Sequence, residues 1–439
     1  MDGSSRRARA LGSALIILGG LHYGYNIAAV GSALQSIHLS FPDWPPATFD
    51  MLSGATLAGA ILGSPLSGWF CEICGRRPGT LVGESLSVTG VLVTALTSSR
   101  ILMTVGRFLL GVGVGFCTLA KPLFVRETLE ARDAGVVLAF FAPAVALGIV
   151  AAQAVAAVLS REHHWRAQLA LGAVPALALL LVAAACMPES DAWRARRAGG
   201  QASGATSASA PSSPSKAASA TRAATYAPVV LAVLLALGNQ LSGAFPVLIY
   251  ADVLAATGSS TCPGADGGAT GTAFASLAVV TSLANLAGAG VAVPLVAVCR
   301  RRLLVVGGLS AMTLLLLHTA WLERDAPSRA AMGLPLALTL AAWCVAYEVG
   351  PGAGYFVIVG DLASATPSLS AVVFACGNAA RFGCEFALSF FFLSACGAYG
   401  LGPLLLFHVA VTAALTLLLL IALPETNPRF TSARMPALH

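Results

Sequence analysis

The chain has very little charge. Only 10% of its 439 residues are Asp, Glu, Lys or Arg, whereas an ordinary soluble domain has about 25%. Hydrophobic residues make up 57% of the sequence, and the mean hydropathy is +0.82. This composition excludes a soluble globular domain and a disordered chain, and it predicts an integral membrane protein.

The sequence also lacks the clusters of reactive residues that enzymes and metalloproteins use. The ten cysteines are scattered and lie mostly within apolar runs, so no disulfide framework is predicted. Cys71 and Cys74 form a CxxC pair, but a structural zinc site needs about four ligands and no others are near in the sequence. No nucleophile stands with a base partner. We therefore predict that the protein is not an enzyme and holds no metal or cofactor.

The apolar runs number about twelve, each long enough to cross a bilayer with about 20 residues. They lie near 11–34, 49–70, 79–98, 101–120, 135–159, 164–187, 227–256, 271–298, 303–322, 331–361, 369–395 and 400–423. Small residues at close spacing, such as Gly111 with Gly113 and Gly288 with Gly290, predict close helix packing in lipid. Because the number of runs is even, both termini are predicted to lie on one side of the membrane.

The basic residues fall unevenly on the two sides. The formal net charge is +6, and most Lys and Arg residues, Lys121 and Arg126 among them, are assigned to the side of the termini. Those assigned to the opposite side are Arg100, Arg161, Arg166, Arg324 and Arg329, while Arg107 and Arg381 lie within runs. Because cytoplasmic loops are rich in Lys and Arg, we predict cytoplasmic termini and no binding of nucleic acid.

A segment rich in Gly, Ser, Ala and Pro divides the chain. Residues 188–226 contain GGQASGATSASAPSSPSKAASATRAAT, a composition that cannot bury a core and predicts a flexible cytoplasmic linker. It separates a six-helix bundle at 1–187 from a second one at 227–423, which is followed by a cytoplasmic tail at 424–439. Basic clusters recur after apolar runs, as Arg76-Arg77 and Arg300–Arg302. Such repetition is typical of carriers whose halves rock around a central site.

Eight short motifs occur in an order that is known from one family. They are YGYN (23–26), the GRR loop (75–77), GRFLLGVGVGF (106–116), PLFVRE (122–127), WR with PES (165–166 and 188–190), NQLSG (239–243), EVGPG (348–352) and PET (424–426). On these motifs the chain resembles the sugar porters of the major facilitator superfamily, and especially the facilitative hexose carriers. The resemblance implies an all-α plasma-membrane protein with the major facilitator fold, in which twelve transmembrane helices form two pseudo-symmetric six-helix bundles and act as a monomeric transport unit.

The resemblance also implies which residues meet the cargo. Amides and carboxylates suit hydroxyl groups, and an aromatic ring suits the face of a sugar. The implied substrate-binding residues are Asn239, Gln240, Asn285, Glu348, Phe356 and Asn378, and the implied gating residues are Asn26, Tyr250, Gly350, Pro351 and Gly352. Pro351 between two glycines is expected to break its helix. As an alternative, the amides could bridge helices, and Glu348 could pair with Arg381 as a structural charge.

Several positions depart from the family pattern. Ala142, Phe245 and Ala379 stand where the family has Gln, Asn and Trp, and Phe356 replaces a Trp. Each lost neutral hydrogen bond is worth about 0.5–1.5 kcal/mol, so the affinity or the choice of cargo is expected to differ. Asn26 stands where proton-driven relatives carry an Asp. Because an amide does not titrate, we predict downhill uniport of a hexose such as glucose or fructose.

A charge network is implied at the cytoplasmic side. Its members are Glu72, Arg76, Arg77, Glu127, Glu189, Arg301, Arg302 and Asp361. These groups are expected to pair when the carrier is closed on that side and to separate for release of the cargo. Simple anchoring of basic residues to the cytoplasmic surface is the alternative.

Two alternatives to hexose transport stay open. The departures at Ala142, Phe245 and Ala379 would also suit another small polar solute or polyol. A sugar sensor that does not transport is the second alternative, and the short segment after Pro424 disfavours it.

Overall fold

The computed structural model describes residues 3–159, 164–203, 216–243, 272–325 and 329–431, and nearly all of them are helical. The helices are α1 (Gly3–Ser40), α2 (Pro46–Cys74), α3 (Arg76–Leu96), α4 (Arg100–Thr128), α5 (Ala131–Ala139), α6 (Phe141–Val158), α7 (Trp165–Leu171), α8 (Ala173–Cys186), α9 (Asp191–Ser203), α10 (Lys216–Leu241), α11 (Thr272–Val298), α12 (Arg301–Asp325), α13 (Arg329–Tyr347), α14 (Ala353–Ala365), α15 (Ser370–Tyr399), α16 (Leu401–Ala422) and α17 (Pro428–Thr431). A five-residue π-helical turn, Glu348–Gly352, joins α13 to α14.

Eleven stretches of the described chain are long and apolar enough to cross a membrane. Three of them combine neighbouring helices: α5 with α6, α7 with α8, and α13 with α14. The predicted run 227–256 is described only as far as residue 243, and there Tyr226–Leu241 forms a shorter apolar helix. The fourth span continues to Thr128, well beyond its predicted end at residue 120. Cys396 of α15 is disulfide-bonded, which the scattered cysteines had not indicated.

Close backbone contacts hold the first half together. Gly111 of α4 faces α2, and a Cβ added to it would lie 2.0 Å from the Thr56 carbonyl oxygen. Gly113 faces α3, where an added Cβ would lie 2.3 Å from Ser87 Oγ. Only glycine allows these approaches, as the sequence predicted. At Gly290 nothing in the described chain lies within 4 Å of an added Cβ, so the described residues show no close packing at that position.

The span formed by α13 and α14 is broken at its centre. Gly350 has φ −94° and ψ −105°, which is not a helical conformation, and Pro351 has no amide hydrogen to donate. A Cβ added to Gly350 would lie 2.7 Å from Cα of Gly308 in α12. The break expected at Pro351 is therefore present, and it depends on close contact between two glycines. The Pro351 carbonyl at this break accepts a hydrogen bond from Asn239 Nδ2 at 2.8 Å.

The first part of the predicted linker is a helix attached to the first half. In α9 the Trp193 indole N–H donates to the Glu72 carbonyl at 3.0 Å, and Arg196 Nη2 lies 2.6 Å from Glu127 Oε1. The helix α10 begins at Lys216, also within the predicted linker. The flexibility expected between these helices concerns residues 204–215, which lie outside the described residues.

A charged pair is buried between three helices of the first half. Lys121 of α4 and Glu84 of α3 are 2% and 0% exposed, and Lys121 Nζ lies 2.8 Å from Glu84 Oε1. Nδ1 of His22 in α1 lies 3.7 Å from Glu84 Oε2. The sequence analysis assigned Lys121 to the cytoplasmic side and overlooked Glu84. In the structure Lys121 lies within α4, which continues as one helix to Thr128.

Removing one member of this pair should destabilise the protein strongly. Lys121→Met leaves the Glu84 charge buried without its partner, so we expect a loss of about 3–5 kcal/mol in the free energy of unfolding. The double variant Glu84→Gln/Lys121→Met should recover most of that loss, because it buries no charge. Denaturation of the purified proteins in detergent measures both effects. A double variant as unstable as Lys121→Met would contradict this account.

Candidate functional site

Two adjacent amides near the end of α10 form part of a buried polar network. Asn239 and Gln240 are each 2% exposed. Gln240 Nε2 donates to Asn239 Oδ1 and to Glu385 Oε1, both at 2.8 Å. Asn239 Oδ1 also accepts from the Tyr347 hydroxyl at 3.4 Å. These predicted substrate-binding residues therefore lie side by side and meet a carboxylate from α15.

Glu385 is the centre of this network, and the sequence analysis missed it. Its carboxylate accepts from the Tyr23 hydroxyl at 3.1 and 3.4 Å and forms an ion pair with Arg381 Nη2 at 2.9 Å. Arg381 Nη2 also donates to the Tyr23 hydroxyl at 3.3 Å. Tyr23 belongs to α1, whereas Gln240, Arg381 and Glu385 belong to α10 and α15. The network thus joins the two halves of the molecule.

The guanidinium of Arg381 is enclosed by aromatic rings. Their centroids lie 5.5–5.9 Å from its Cζ, and they belong to Tyr23, Tyr355, Phe356 and Phe382. At this distance the ring faces attract the cation. The sequence left open a pair between Arg381 and Glu348, but the structure pairs Arg381 with Glu385 instead. The spacing of four residues between two opposite charges on one helix was the signal that could have identified this pair.

Glu348 and Asn285 form a second polar group. Glu348, at the start of the π-helical turn, is 5% exposed, and Asn285 of α11, which lies near it, is 3% exposed. Within the part of the chain that the structure describes, Glu348 Oε2, Asn285 Oδ1 and Arg381 Nη1 are buried without a hydrogen-bond partner. A buried polar atom without a partner costs about 1–3 kcal/mol. These three atoms are therefore available to a bound molecule.

Asn378 and Phe356 contact the first half directly. Asn378 is fully buried, with Oδ1 accepting from the Tyr355 hydroxyl at 3.2 Å and Nδ2 donating to the Thr118 carbonyl at 3.0 Å. The Phe356 ring lies 4.4 Å from the ring of Phe141 in α6. The structure does not place Asn378 among the unpartnered polar atoms, because both of its polar atoms are occupied by protein groups.

The remaining predicted residues contribute in other ways or are not described. Asn26 Nδ2 donates to the carbonyls of His22 and Gly172 at 2.9 and 3.0 Å, so this side chain ties α1 to the connection before α8. Ala142 is buried, and Ala379 is partly exposed. Tyr250 and Phe245 lie outside the described residues.

Many of the predicted cytoplasmic charges cluster at one end of the bundle. We call this region, which includes Arg76, Glu127, Glu189, Arg126 and Asp361, the basic end. The Arg76 guanidinium makes a bidentate ion pair with Glu127, from Nε at 2.9 Å and from Nη2 at 2.7 Å. Its Nη2 also forms an ion pair with Glu72 at 2.8 Å. The backbone N–H groups of Arg76 and Arg77 donate to Glu189 at 2.8 and 3.2 Å. These contacts are all within the first half.

A second set of charges connects the halves at the basic end. Asp361, near the end of α14, pairs with Arg301 of α12 and with Arg126 of α4. The sequence analysis had not paired Arg126 with anything. Arg126 Nη2 also donates to the Val357 carbonyl at 2.9 Å. Arg302, in contrast, donates to the Leu420 carbonyl. The basic end is therefore held closed across the two halves by Arg126 and Asp361.

Comparison with known proteins places this geometry in a family. The family profile described as "Sugar (and other) transporter" matches residues 13–433. Probable inositol transporter 3 of Arabidopsis thaliana is 30% identical over 182 residues, which cover 40% of this chain and 31% of that protein. Glucose transporter GlcP of Staphylococcus epidermidis is 31% identical over 176 residues, or 40% and 39% of the two chains. The matched region is thus well under half of each relative.

Solved structures match over a much longer stretch. The proton:xylose symporter XylE, bound to 6-bromo-6-deoxy-D-glucose, has a TM-score of 0.78 at 18% identity and covers 96% of this chain and 97% of its own. An inward open conformation of XylE from E. coli has a TM-score of 0.67 at 19% identity and covers 95% and 97%. Because the family profile spans nearly the whole sequence and the architecture agrees, the chain belongs to the sugar (and other) transporter family and has the all-α fold of the major facilitator superfamily.

Proposed function

We propose that the protein carries a neutral hexose or cyclic polyol across the membrane by alternating access. Thirteen buried side-chain atoms lack a partner within the described chain, and the supporting observation is that three of them belong to Glu348, Asn285 and Arg381. Arg381 Nη1 is a donor, while Glu348 Oε2 and Asn285 Oδ1 accept. A hydroxyl group both donates and accepts, so a molecule with several hydroxyls can satisfy all three. A carboxylate cannot donate, and an ammonium group cannot accept.

The relatives support the same class of cargo. The names of the matched proteins refer to inositol, glucose and xylose, which are all neutral and rich in hydroxyl groups. The buried ring of Phe356 offers an apolar surface beside these polar atoms, as sugar sites require. We therefore propose a hexose or a cyclic polyol of similar size as the cargo.

We further propose that transport is downhill uniport. The side chain at position 26 is an amide that is hydrogen-bonded to two carbonyls, so it has no proton to exchange. The buried carboxylates Glu84 and Glu385 are each paired with a cation inside the protein. Protonating either one would leave its partner as an unpaired buried charge, which is costly.

Reconstituted protein should show uptake that saturates and stops at equal concentrations. In liposomes, labelled glucose or myo-inositol should enter until its internal concentration matches the external one. An inward proton gradient should leave that final level unchanged, because Asn26 cannot bind a proton. Protein-free liposomes provide the control. Accumulation above the external concentration would contradict uniport, and the absence of flux for every neutral hexose and polyol would contradict the proposed cargo.

Gln240→Ala should weaken cargo binding. The change removes a side chain that supports the polar network, and we expect the apparent affinity to fall up to about tenfold, as the loss of a hydrogen bond predicts. Gln168→Ala is the matched control, because Gln168 is also buried but its side-chain amide donates to Ser32 and Ala29 in the first half. The concentration dependence of uptake measures both variants. Equal affinities in the two would show that Gln240 has no special role.

Asp361→Asn should favour opening at the basic end. The variant removes the carboxylate shared by Arg126 and Arg301, and each 1.4 kcal/mol lost would raise the open population about tenfold. Maleimide labelling of Ala134→Cys, a fully buried position, reports the opening when compared with the parent protein. Asp191→Asn is the control, because the Asp191–Arg194 pair is exposed. Labelling that is equally slow in both variants would contradict the role of Asp361 in closure.

A further inference from the structure

The ion pair between Arg381 and Glu385 lies beside Gln240, a predicted substrate-binding residue, and the sequence analysis did not predict this pair. Glu385 is 3% exposed, and its carboxylate accepts from Tyr23, Gln240 and Arg381. Moving two charges from water into such surroundings is expensive, and an apolar replacement is often no less stable. A charged pair within a membrane-spanning region therefore points to a function rather than to stability alone.

The three hydrogen-bond partners of Glu385 differ in whether they can move away from its carboxylate during transport. Arg381 is one helical turn away on the same helix, so it stays beside the carboxylate in every state of the carrier. Gln240 lies in the same half of the molecule. Tyr23 lies in the other half, and its hydroxyl must move away when the two halves separate around the site. Separation would therefore leave the Glu385 carboxylate with a free acceptor position.

A cargo hydroxyl is chemically equivalent to the hydroxyl that leaves. Both are neutral O–H donors, and a bond to an ionised acceptor is about twice as strong as one between neutral groups. The carboxylate has two oxygens and can accept from two donors at once. Two adjacent hydroxyls on one ring present two such donors side by side.

On the basis of the transport function proposed above, we propose that Glu385 is the residue that recognises the cargo. It accepts hydrogen bonds from two neighbouring hydroxyls of a neutral sugar or cyclic polyol, which take the place of the Tyr23 hydroxyl. Arg381 acts as a positioning residue that holds the carboxylate ionised and oriented. These charge-assisted bonds compensate for the hydrogen bonds that the side chains of Ala142 and Ala379 cannot make.

The test combines a variant with altered cargo. Uptake by the full chain in liposomes is measured at one pH for glucose, myo-inositol and single-deoxy analogues of each. In the parent protein, losing either of two adjacent hydroxyls should weaken affinity about tenfold or more, and losing a hydroxyl elsewhere should cost less. Glu385→Gln should reduce that penalty to about threefold or less, because the acceptor is no longer charged. A merely structural role for Glu385 would lower activity without changing the relative affinities.

Two further variants complete the test. Tyr23→Phe removes the hydroxyl that competes with the cargo, so affinity should stay equal or become tighter. Glu323→Gln makes the same chemical change in a carboxylate at the end of α12, beside Gly402, and should leave the deoxy penalties unchanged.

The outcomes separate the two proposals. If the parent protein moves no neutral sugar or polyol, the proposed function fails and the role of Glu385 fails with it. If the parent transports but tolerates every deoxy analogue within about threefold, only the role of Glu385 is overturned, even if Glu385→Gln does not fold. Unchanged deoxy penalties in a folded Glu385→Gln would overturn it as well.

Discussion

Every charge buried in this molecule needs a partner, and that constraint shapes how its parts meet. In a medium with little water, an unpaired charge costs several kcal/mol, so each buried cation of the bundle faces a carboxylate, a carbonyl or a ring. Lys121 meets Glu84 within the first half, and Arg381 meets Glu385 within α15, where Tyr23 of the first half bonds to both. Arg126 and Asp361 connect the halves at the basic end. Polar contacts therefore connect the halves alongside apolar ones such as that between Phe356 and Phe141.

The candidate site follows from the same constraint. The network of Tyr23, Gln240, Arg381 and Glu385 is nearly satisfied by the protein alone, while Glu348 and Asn285 each keep one atom without a partner in the described chain. A site of this kind offers both donors and acceptors to hydroxyl groups. Under the proposed function, its selectivity depends on how many of these atoms a cargo satisfies.

The sequence predicted the fold well because the signals for it are local. Apolar runs, basic loops and short motifs identified the spans, and the EVGPG motif identified the helix break at Pro351. Among the predicted site residues, Gln240 and Asn239 lie together, whereas the side chain of Asn378 is occupied by Tyr355 and Thr118. Glu385 and Glu84 were missed because their partners in other helices are far away in the chain, and each span was considered on its own. A count of charges within spans would have shown both.

Glycines have different structural roles in the two halves. In the first half, α4 approaches α2 at Gly111 and α3 at Gly113. The approach is so close that a side chain at either position would clash with the neighbouring helix. In the second half, a π-helical turn interrupts the span formed by α13 and α14 beside Gly308, and no π-helical turn occurs in the described residues of the first half. The chain therefore combines glycine contacts that set the spacing between α4 and its neighbours with a span whose helical path is broken at Gly350.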